Sequence, residues 1–391
     1  MPRTDPSKFF DKYRSWQWIK HSILTDYLVV WARKVGSIAR TIHIVDAFAG
    51  AGHYDSDDGA TIEGSPVIEA KLAQQYKRQF PTRDITVFCI ERDAANFTKL
   101  ERAMEPFGSL VTVRRGDFYD HVDEIAARLK SDPSLILLDP IGLKAITADR
   151  CLPLLQRFGK TDLFVIVDFG IVHRAAGQLL PEGTPKPSIP GARRLGQMVD
   201  AFFGTTNWRG IATNPALSLE EKESRYLDFY FDNVLGNHYR FKSAYEVRSR
   251  HHGPIQYWLV HASNHEDAVW LMNDCIVKVD RALLSQTYEA PDQLPGIVEG
   301  TVAAYEIGID QELRRAILAV LTKFGGDSTF RRLRRELLYD GFYGRVKESA
   351  YARAVKALVK EGKVIRQNRP GAKLELTEII RLPALQIIER T

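Results

Sequence analysis

The chain has 391 residues, of which 26% are charged and 45% hydrophobic, and its formal net charge is +5. This length predicts about two or three domains, and the absence of any apolar run near the roughly 18 residues of a membrane span excludes a membrane-spanning protein. Cys89, Cys151 and Cys275 lie far apart, which excludes a disulfide framework and a cysteine-based zinc site and predicts a cytoplasmic protein.

The first predicted element is a helix over Trp16–Val35, whose apolar residues recur at helical spacing. Lys20 and His21 lie within this helix, and they either face a ligand or lie at the surface. We predict the surface position, because charged and polar side chains are mostly exposed.

Thr41–Tyr54 predicts a buried strand followed by a sharp glycine turn. Three β-branched residues lie between positions 42 and 45, a pattern typical of a parallel strand covered on both faces. Asp46 ends the strand, and Gly50 and Gly52 follow, where a missing Cβ lets a ligand approach the backbone. Such a turn occurs at the nucleotide crevice of doubly wound α/β folds, although an ordinary βα turn has the same pattern.

Later strands repeat this arrangement, and a helix that opens at Gly64–Pro66 separates the first two. The predicted strands are Ile85–Ile90, Val111–Val113, Leu135–Leu138 and Leu163–Val167, followed by Glu91, Asp117, Asp139 and Asp168. Any one of these acids can cap the next helix. Because the carboxyl ends of parallel strands meet at one edge, five acids predict a site there. The predicted fold class is therefore α/β, with a doubly wound Rossmann-like sheet.

The region after the fifth strand carries few recognisable motifs. An insertion is predicted over about residues 175–240, followed by an antiparallel pair at Tyr245–Arg250 and Gln256–Val260. His173 and Arg174 directly follow the fifth strand, so they either bind a phosphate of the substrate or lie at the surface. No spacing of ligating residues matches a metal site, so no metal is predicted.

The last part of the chain carries the positive charge. Asp310–Thr391 contains 18 Lys and Arg residues against 10 Asp and Glu residues, a net charge of +8. After a first domain over 1–290 and a linker over 291–309, residues 310–391 predict three helices and a hairpin with strands at Lys363–Ile365 and Leu374–Leu376. This is the order of a winged helix-turn-helix domain. Its candidate nucleic-acid contacts are Arg331, Arg335, Arg353, Lys356 and Arg369. The alternative is a domain that docks a protein.

The motifs at the strand ends resemble class I S-adenosylmethionine-dependent methyltransferases. These motifs are D-x-F-A-G-x-G from Asp46, the acid Glu91 after the second strand and G-D before Phe118. The resemblance implies S-adenosyl-L-methionine as the cofactor, with its ribose hydroxyls on Glu91 and its adenine amino group on Asp117. The implied cofactor-binding set is Asp46, Phe48, Ala49, Gly50, Gly52, Glu91, Arg92, Asp117 and Phe118. A dinucleotide site needs a third glycine or alanine where Asp55 stands.

A second resemblance covers nearly the whole chain. W-x-x-x-K-H-x-x-L-x-x-Y-L-x-x-W from Trp16, F-A-G-x-G-x-Y, and G-S-P at Gly64–Pro66 are similar to the three-Cys-motif partner proteins, a bacterial methyltransferase-like family. This implies a partner protein encoded by a neighbouring gene. The G-S-P element and the D-P tetrad also resemble ribosomal RNA adenine-N6 methyltransferases, which places Ser65 among the substrate residues.

The tetrad after the fourth strand, Asp139–Gly142, predicts the chemistry. In amino-methyltransferases with D/N-P-P-Y, the carboxylate and the next carbonyl accept the two amine hydrogens, and the aromatic residue stacks on the extruded base. Asp139 and Pro140 are therefore the predicted catalytic residues, unless Asp139 is only a helix N-cap. Ile141 and Gly142 have no aromatic face.

Three explanations of that missing aromatic residue stay open. The substrate is a smaller amine, Phe169 supplies the ring, or catalysis has been lost. We predict a methyltransferase that acts on an amine of a nucleic acid, DNA or RNA. The alternative is a catalytically weak subunit that uses the same fold to bind nucleic acid or protein.

Overall fold

The structure is a computed structural model that describes residues 15–55, 61–140, 142–157, 161–249, 253–288, 297–368 and 373–383. The chain divides into two compact units. The first comprises Met1–Ser249 and Gly253–Val269, and the second comprises Arg250–His252 and Trp270–Thr391.

The first unit is built on a mostly parallel sheet. Its strands are β1 (Thr41–Asp46), β2 (His53–Asp55), β3 (Thr61–Glu63), β4 (Asp84–Glu91), β5 (Val111–Arg115), β6 (Ser134–Leu138), β7 (Thr161–Val167), β8 (Phe241–Arg248) and β9 (Ile255–Ser263). Seven of these described strands form one sheet in the order β5-β4-β1-β6-β7-β9-β8, and β2 pairs with β3. The strands from β5 to β7 are parallel, whereas β9 runs antiparallel to both of its neighbours.

Helices connect these strands. Their bounds are α1 (Ser15–Gly36), α2 (Ser65–Gln79), α3 (Ala94–Met104), α4 (Val122–Leu129), α5 (Ala148–Leu155), α6 (Gly170–Ala176), α7 (Ala192–Phe203), α8 (Trp208–Thr213), α9 (Leu219–Asn233) and α10 (Glu266–Tyr288). Within the described ranges, every helix is either too short or too polar to span a lipid bilayer.

The central strands are apolar because they are covered on both faces. Every residue of β6 and of β7 is buried, and so are the last five residues of β1. Burial of one Leu, Ile or Val side chain stabilises the fold by about 1.5–3 kcal/mol. The prediction of a doubly wound α/β sheet is therefore confirmed by the strand order.

The strand order also locates the crevice. From β1 the chain moves outward through β4 to β5, and then returns to the other side of β1 through β6 to β7. In open α/β sheets, ligands bind outside the carboxyl ends of the strands at such a switch point. Beyond β7 lies the antiparallel β9, whereas a dinucleotide-binding sheet continues there with a sixth parallel strand. The observed order therefore departs from that of a dinucleotide-binding fold.

The predicted insertion and antiparallel pair are both present. α7, α8 and α9 lie between β7 and β8, and the pair spans Phe241–Arg248 and Ile255–Ser263. The insertion packs its own aromatic cluster, in which the Phe202 ring stacks on Tyr230 at 5.0 Å between centroids. Tyr226 of the insertion also contacts Phe169, which lies two residues after the end of β7, at 6.0 Å between ring centroids, so an aromatic contact joins the insertion to the end of the sheet.

The second unit combines helices with a small antiparallel sheet. After the remainder of α10 it contains α11 (Ile297–Lys323), β10 (Asp327–Thr329), α12 (Phe330–Leu337), α13 (Glu348–Lys360), β11 (Ile365–Arg366) and β12 (Ile379–Arg381). These three described strands pair in the order β10-β12-β11.

Two predicted features of this unit are wrong. The part of the predicted linker from Ile297 onward is helical, because the prolines precede α11 and Tyr305 packs under the Arg281 guanidinium at 4.7 Å. The last hairpin strand is Ile379–Arg381 and not residues 374–376, because Glu378 is drawn into a buried bidentate pair with Arg366.

The division between the units also lies about 20 residues before the predicted one at residue 290. α10 continues through this division without a break. From Trp270 onward its residues pack within the second unit, where the Trp270 ring meets Tyr351 edge to face at 5.4 Å. Proline and glycine content marked the wrong position, because the boundary lies inside a continuous helix.

Candidate active site at the carboxyl edge of the sheet

Asp46 closes the turn that follows β1. Its carboxylate is fully buried and accepts hydrogen bonds from Ser65 Oγ at 2.6 Å and from the Phe48 N–H at 3.2 Å. Burial raises the pKa of Asp46 to about 6, and these two donors oppose that rise. Asp46 therefore joins the glycine turn to the first residue of α2, beneath the crevice.

The G-S-P element is docked on the glycine turn. Gly50 and Gly52 have φ angles of 64° and 82°, which favour glycine, and the Gly64 N–H donates to the Gly52 carbonyl at 2.8 Å. A Cβ on Gly64 would lie 2.9 Å from that carbonyl oxygen. The Ala49 N–H donates to the Ile90 carbonyl at 2.9 Å, so the turn is also held to the end of β4.

A cavity of about 540 Å³ lies at the carboxyl ends of β1, β4, β5 and β6. Its volume falls within the usual range for small-molecule sites. The predicted site residues that line it are Phe48, Glu91, Arg92, Asp117, Phe118 and Asp139. The structure thus brings six residues from four separate turns to one cavity.

Glu91 is the buried acid of this cavity. Its carboxylate accepts a hydrogen bond from the Asp93 N–H at 2.6 Å. Burial raises the pKa of Glu91, while the backbone N–H groups of Asp93, Gly50 and Arg92 oppose that rise. The carboxylate is therefore oriented by the backbone, and it also holds the glycine turn.

An aromatic wall stands beside Glu91. The rings of Phe48 and Phe118 are 5.8 Å apart, and Phe118 is buried whereas Phe48 is half-buried. At the rim, Arg92 Nη1 lies 3.3 Å from Asp117 Oδ1, and both side chains are mostly exposed. The cavity therefore offers apolar ring faces beside carboxylate acceptors, an arrangement suited to a nucleoside.

Asp139 forms an ion pair with Lys20 of α1. Their side chains are 26% and 9% exposed, so the pair is largely shielded from water. The prediction that Lys20 and His21 lie at the surface is wrong, since both are buried. The signal was present in the sequence, because Lys20 precedes Ile23 and Leu24 at helical spacing and so lies on the apolar stripe of α1.

α1 is itself fixed by a buried polar network. Tyr27, two turns after Lys20, donates its hydroxyl to Asp162 Oδ2 of β7 at 2.7 Å. Asp162 Oδ1 accepts a second bond from Ser263 Oγ of β9 at 2.5 Å. Because a buried carboxylate is costly unless it is hydrogen-bonded, this network favours one position of α1 on the sheet.

The rest of the tetrad is only partly suited to base binding. The Gly142 N–H donates to the Pro140 carbonyl at 3.0 Å, so that oxygen keeps one lone pair for an amine. Ile141 lies outside the described residues. Phe169 is 2% exposed and packs against Tyr226, so the explanation in which Phe169 stacks on the base is wrong.

The predicted substrate residues of the first unit have other partners or positions. Ser65 is buried and donates to Asp46, so it does not face a substrate. His173 Nε2 lies 2.8 Å from Glu223 Oε1, which leaves it poorly placed for a phosphate. Arg174 is exposed.

The basic residues of the second unit fall into two groups. Arg334, Arg345 and Arg366 form ion pairs with Glu348, Glu312 and Glu378, so their charges are compensated. The predicted contacts Arg331, Arg335, Arg353 and Lys356 are exposed, whereas Arg369 lies outside the described residues.

Metal-ligating side chains are dispersed in the described part of the chain. There, no three His, Cys, Asp or Glu side chains are grouped so that they could hold a metal ion. Cys89, Cys151 and Cys275 are buried free thiols.

Similarity to known proteins is confined to solved structures, since no protein-family model and no curated protein matches this chain. A Legionella pneumophila protein of the DUF519 family has 12% identity and a TM-score of 0.35, covering 64% of this chain and 85% of its own. A putative O-methyltransferase from Klebsiella pneumoniae has 14% identity and a TM-score of 0.30, covering 68% and 92%.

A putative sarcosine dimethylglycine methyltransferase from Galdieria sulphuraria has 11% identity and a TM-score of 0.24, covering 62% of this chain and 86% of its own.

Proposed function

We propose that this protein is an S-adenosyl-L-methionine-dependent methyltransferase that acts on an amine of a nucleic acid base. One observation carries the proposal: a single cavity at the switch point is lined by Glu91, the Phe48–Phe118 wall and Asp139. Nucleoside-binding groups and an amine acceptor therefore share one ligand-sized space.

The cofactor-binding half follows from the chemistry of the lining. The Glu91 carboxylate accepts hydrogen bonds from the ribose hydroxyls, and the Asp117 carboxylate at the rim accepts one from the adenine amino group. The Phe48–Phe118 wall covers the adenine ring, and Gly50 and Gly52 let the methionine part approach the turn. When bound, the cofactor supplies a sulfonium methyl group as the electrophile.

Asp139 and Lys20 form the acceptor half. The Asp139 carboxylate and the Pro140 carbonyl accept the amine hydrogens, which points the nitrogen lone pair away from both oxygens. Lys20 holds the carboxylate in place through the ion pair. Asp139 would take up the proton that the amine nitrogen loses when it replaces the cofactor sulfur on the methyl carbon, which leaves that sulfur as a neutral thioether, and Asp139 would then release the proton to solvent. Catalysis rests mainly on this positioning.

The second unit supplies the proposed nucleic-acid contact. Its helices and antiparallel strands follow the order of a winged helix-turn-helix domain, in which α13 is the recognition helix. Ser349, Arg353, Lys356 and Lys360 are exposed at helical spacing along α13, whereas Tyr351, Val355 and Leu358 are buried. Such a basic stripe is suited to phosphate contacts.

We also infer the cellular setting from the sequence motifs. The resemblance to three-Cys-motif partner proteins supports a bacterial, cytoplasmic protein that works with the product of a neighbouring gene. The three buried free thiols agree with a reducing compartment.

A second candidate function is a binding subunit without catalysis. It is favoured by the burial of Phe169, which leaves the tetrad without that aromatic face for a base. Such a subunit needs its fold and its second unit, but not the Asp139 carboxylate.

An assay of methyl transfer from labelled cofactor to pooled DNA and RNA discriminates between a methyltransferase and a binding subunit without catalysis. Asp139→Asn is expected to lose at least 100-fold in rate while it keeps cofactor binding within about threefold. Asp168→Asn is the matched control, because Asp168 follows the next strand but is exposed. A folded wild-type protein that binds no cofactor, or an Asp139→Asn variant with full activity, would contradict the proposal.

A further inference from the structure

The insertion carries a second cavity, and the proposed reaction does not use it. This insertion cavity has a volume of about 640 Å³ and is lined by the proline-rich segment before α7 and by α7 itself. Its apolar lining comprises three prolines and Ile189, and its charged lining residues are Lys186, Arg193, Asp200 and Arg209. The volume falls within the usual range for small-molecule sites, so the insertion offers a ligand-sized space of its own.

The proline-rich wall of the insertion cavity has little conformational freedom. Its three prolines fix their own φ angles. Backbone hydrogen bonds also hold the segment: the Lys186 N–H donates to the Gln178 carbonyl at 2.8 Å, and the Ala192 N–H donates to the Ile189 carbonyl at 3.2 Å. The cavity is therefore formed before a ligand binds, which lowers the cost of binding.

Arg209 is the fixed cation of the insertion cavity. Its guanidinium donates to Asp200 Oδ1 and Oδ2 at 3.1 and 2.6 Å, and to the Gly183 carbonyl at 3.2 Å. These bonds use three of the five N–H donors of an arginine, so two remain for a ligand. The Arg209 and Asp200 side chains are 19% and 20% exposed, so their ion pair is partly shielded from water.

Lys186 and Arg193 give the insertion cavity its net charge. Arg193 is exposed on α7, where its side chain has no charge partner among the described residues. Lys186 Nζ donates to the Gly177 carbonyl at 2.9 Å, which orients the ammonium group without neutralising it. Because Arg209 is balanced by Asp200, the lining keeps a net charge of +2. A cavity of this charge is suited to an anion, and Arg and Lys are the side chains that bind phosphate.

The insertion cavity lies near the acceptor half of the proposed active site. α7 packs against Leu143–Ile146, which directly follows the tetrad, and Lys144 and Ala145 of that segment line the first cavity. The 12 residues of α7 span about 18 Å at 1.5 Å per residue. One strand of a duplex covers this distance with about five or six nucleotides. A nucleic acid with a base near Asp139 is therefore long enough to reach the insertion cavity.

We propose that the insertion cavity binds a backbone phosphate of the nucleic acid whose base carries the reacting amine. The inference rests on the proposed function and adds to it a substrate contact within the first unit. Lys186, Arg193 and the remaining N–H groups of Arg209 donate hydrogen bonds to the phosphate oxygens, and the proline faces pack against the sugar. Such contacts fix the position of the strand and read no base sequence.

The test measures binding of the full chain to labelled oligonucleotides over a series of salt concentrations, with no cofactor added. Arg193→Ala should lower the slope of log affinity against log salt by about 0.7 on a single strand or about 0.9 on a duplex. Lys186→Met/Arg193→Ala should lower it by about twice as much. The loss should be the same for oligonucleotides of unrelated sequence, because phosphate contacts carry no sequence information.

Arg194→Ala is the matched control for Arg193→Ala. Arg194 is the next residue of α7 and is also exposed, but it does not line the insertion cavity. Both variants remove one positive charge from the same helix, so an effect of net charge alone is equal in the two. A slope that is unchanged in Arg193→Ala, or changed equally in Arg194→Ala, overturns the inference.

Further results separate this inference from the proposed function. If Arg353→Ala/Lys356→Ala lowers the slope and Arg193→Ala does not, the inference fails and the nucleic-acid substrate stands. A folded wild type that binds no oligonucleotide overturns both. Calorimetry with inorganic phosphate tests the other source of the same group. If phosphate binds to wild type and not to Arg193→Ala, while the oligonucleotide slopes are equal, the cavity takes a free phosphate and the backbone contact is overturned.

Discussion

Lys20 and Asp139 are 119 residues apart in the chain, yet their side chains form a shielded ion pair at the cavity. Removing one partner of such a pair leaves the other charge partly buried without compensation. The Asp139 carboxylate then loses its fixed orientation toward an incoming amine. Lys20 is therefore a positioning residue in the proposed reaction.

Lys20→Met tests this role, since Met keeps most of the apolar stem of lysine. We expect the methyl-transfer rate to fall about 10- to 100-fold while cofactor binding changes less than about threefold, because only the acceptor half is disturbed. Lys34→Met is the control on the same helix, where the ion pair with Asp267 is exposed. Equal loss of cofactor affinity and rate in Lys20→Met would show that the lysine acts on the fold as a whole.

The titration of Asp46 is expected to make the stability of the folded protein depend on pH. Its pKa rises from 3.8 in the unfolded chain to about 6 in the fold, so the folded state binds the proton more tightly. Its stabilising contribution is present below about pH 4 and is lost as pH rises through 6. The difference corresponds to roughly 3 kcal/mol at about 1.4 kcal/mol per pKa unit.

Asp46→Asn removes this titration. The free energy of unfolding of the variant relative to wild type should therefore increase by up to roughly 3 kcal/mol between pH 4 and pH 7. Urea unfolding at several pH values measures this difference in the free energy of unfolding, provided that both proteins unfold in one transition. A constant difference across this range would contradict the assigned titration.

At the scale of elements, the site depends on how α2 meets the glycine turn. Gly64 brings the start of α2 so close that its N–H reaches the Gly52 carbonyl, and Ser65 then reaches Asp46. The backbone at Gly52 and Gly64 has little room to move apart, since each residue belongs to a tight turn.

Gly64→Ala should therefore destabilise the protein by about 1–3 kcal/mol, because the new Cβ would lie 2.9 Å from a backbone oxygen. Gly210→Ala is the control within α8, where no atom lies within 4 Å of the new Cβ, and it should stabilise by about 0.5–1 kcal/mol. Thermal unfolding of both variants gives the comparison. A neutral Gly64→Ala would mean that the turn moves freely against α2.

At the scale of the whole molecule, net charge is a poor guide to the nucleic-acid surface. Several arginines of the second unit form internal ion pairs with glutamates, so their charges are compensated. One of these pairs, Arg366–Glu378, is almost fully buried. The exposed stripe of α13 remains available in the described part of this unit. It is the surface on which the proposed DNA or RNA contact rests.

The double variant Arg353→Ala/Lys356→Ala should weaken binding of the full chain to a DNA or RNA duplex. Each lost phosphate contact lowers the slope of log affinity against log salt by about 0.9, so the slope should fall by about 2. Lys323→Ala is the control, since Lys323 is exposed on α11 and paired with Glu336. An unchanged slope in a titration from low to high salt would favour a protein-docking role.

The sequence by itself determined the parallel strands, the acids at their ends and the positions of the glycine turns. These features are local, because β-branched runs and glycines restrict the backbone wherever they occur. Only the tertiary structure decided that Asp46 and Ser65 bind each other beneath the crevice, that Phe169 is buried and that Lys20 reaches Asp139. Those outcomes depend on contacts between residues distant in the chain, and a side chain's burial and charge partners are set by such contacts rather than by its neighbours in sequence.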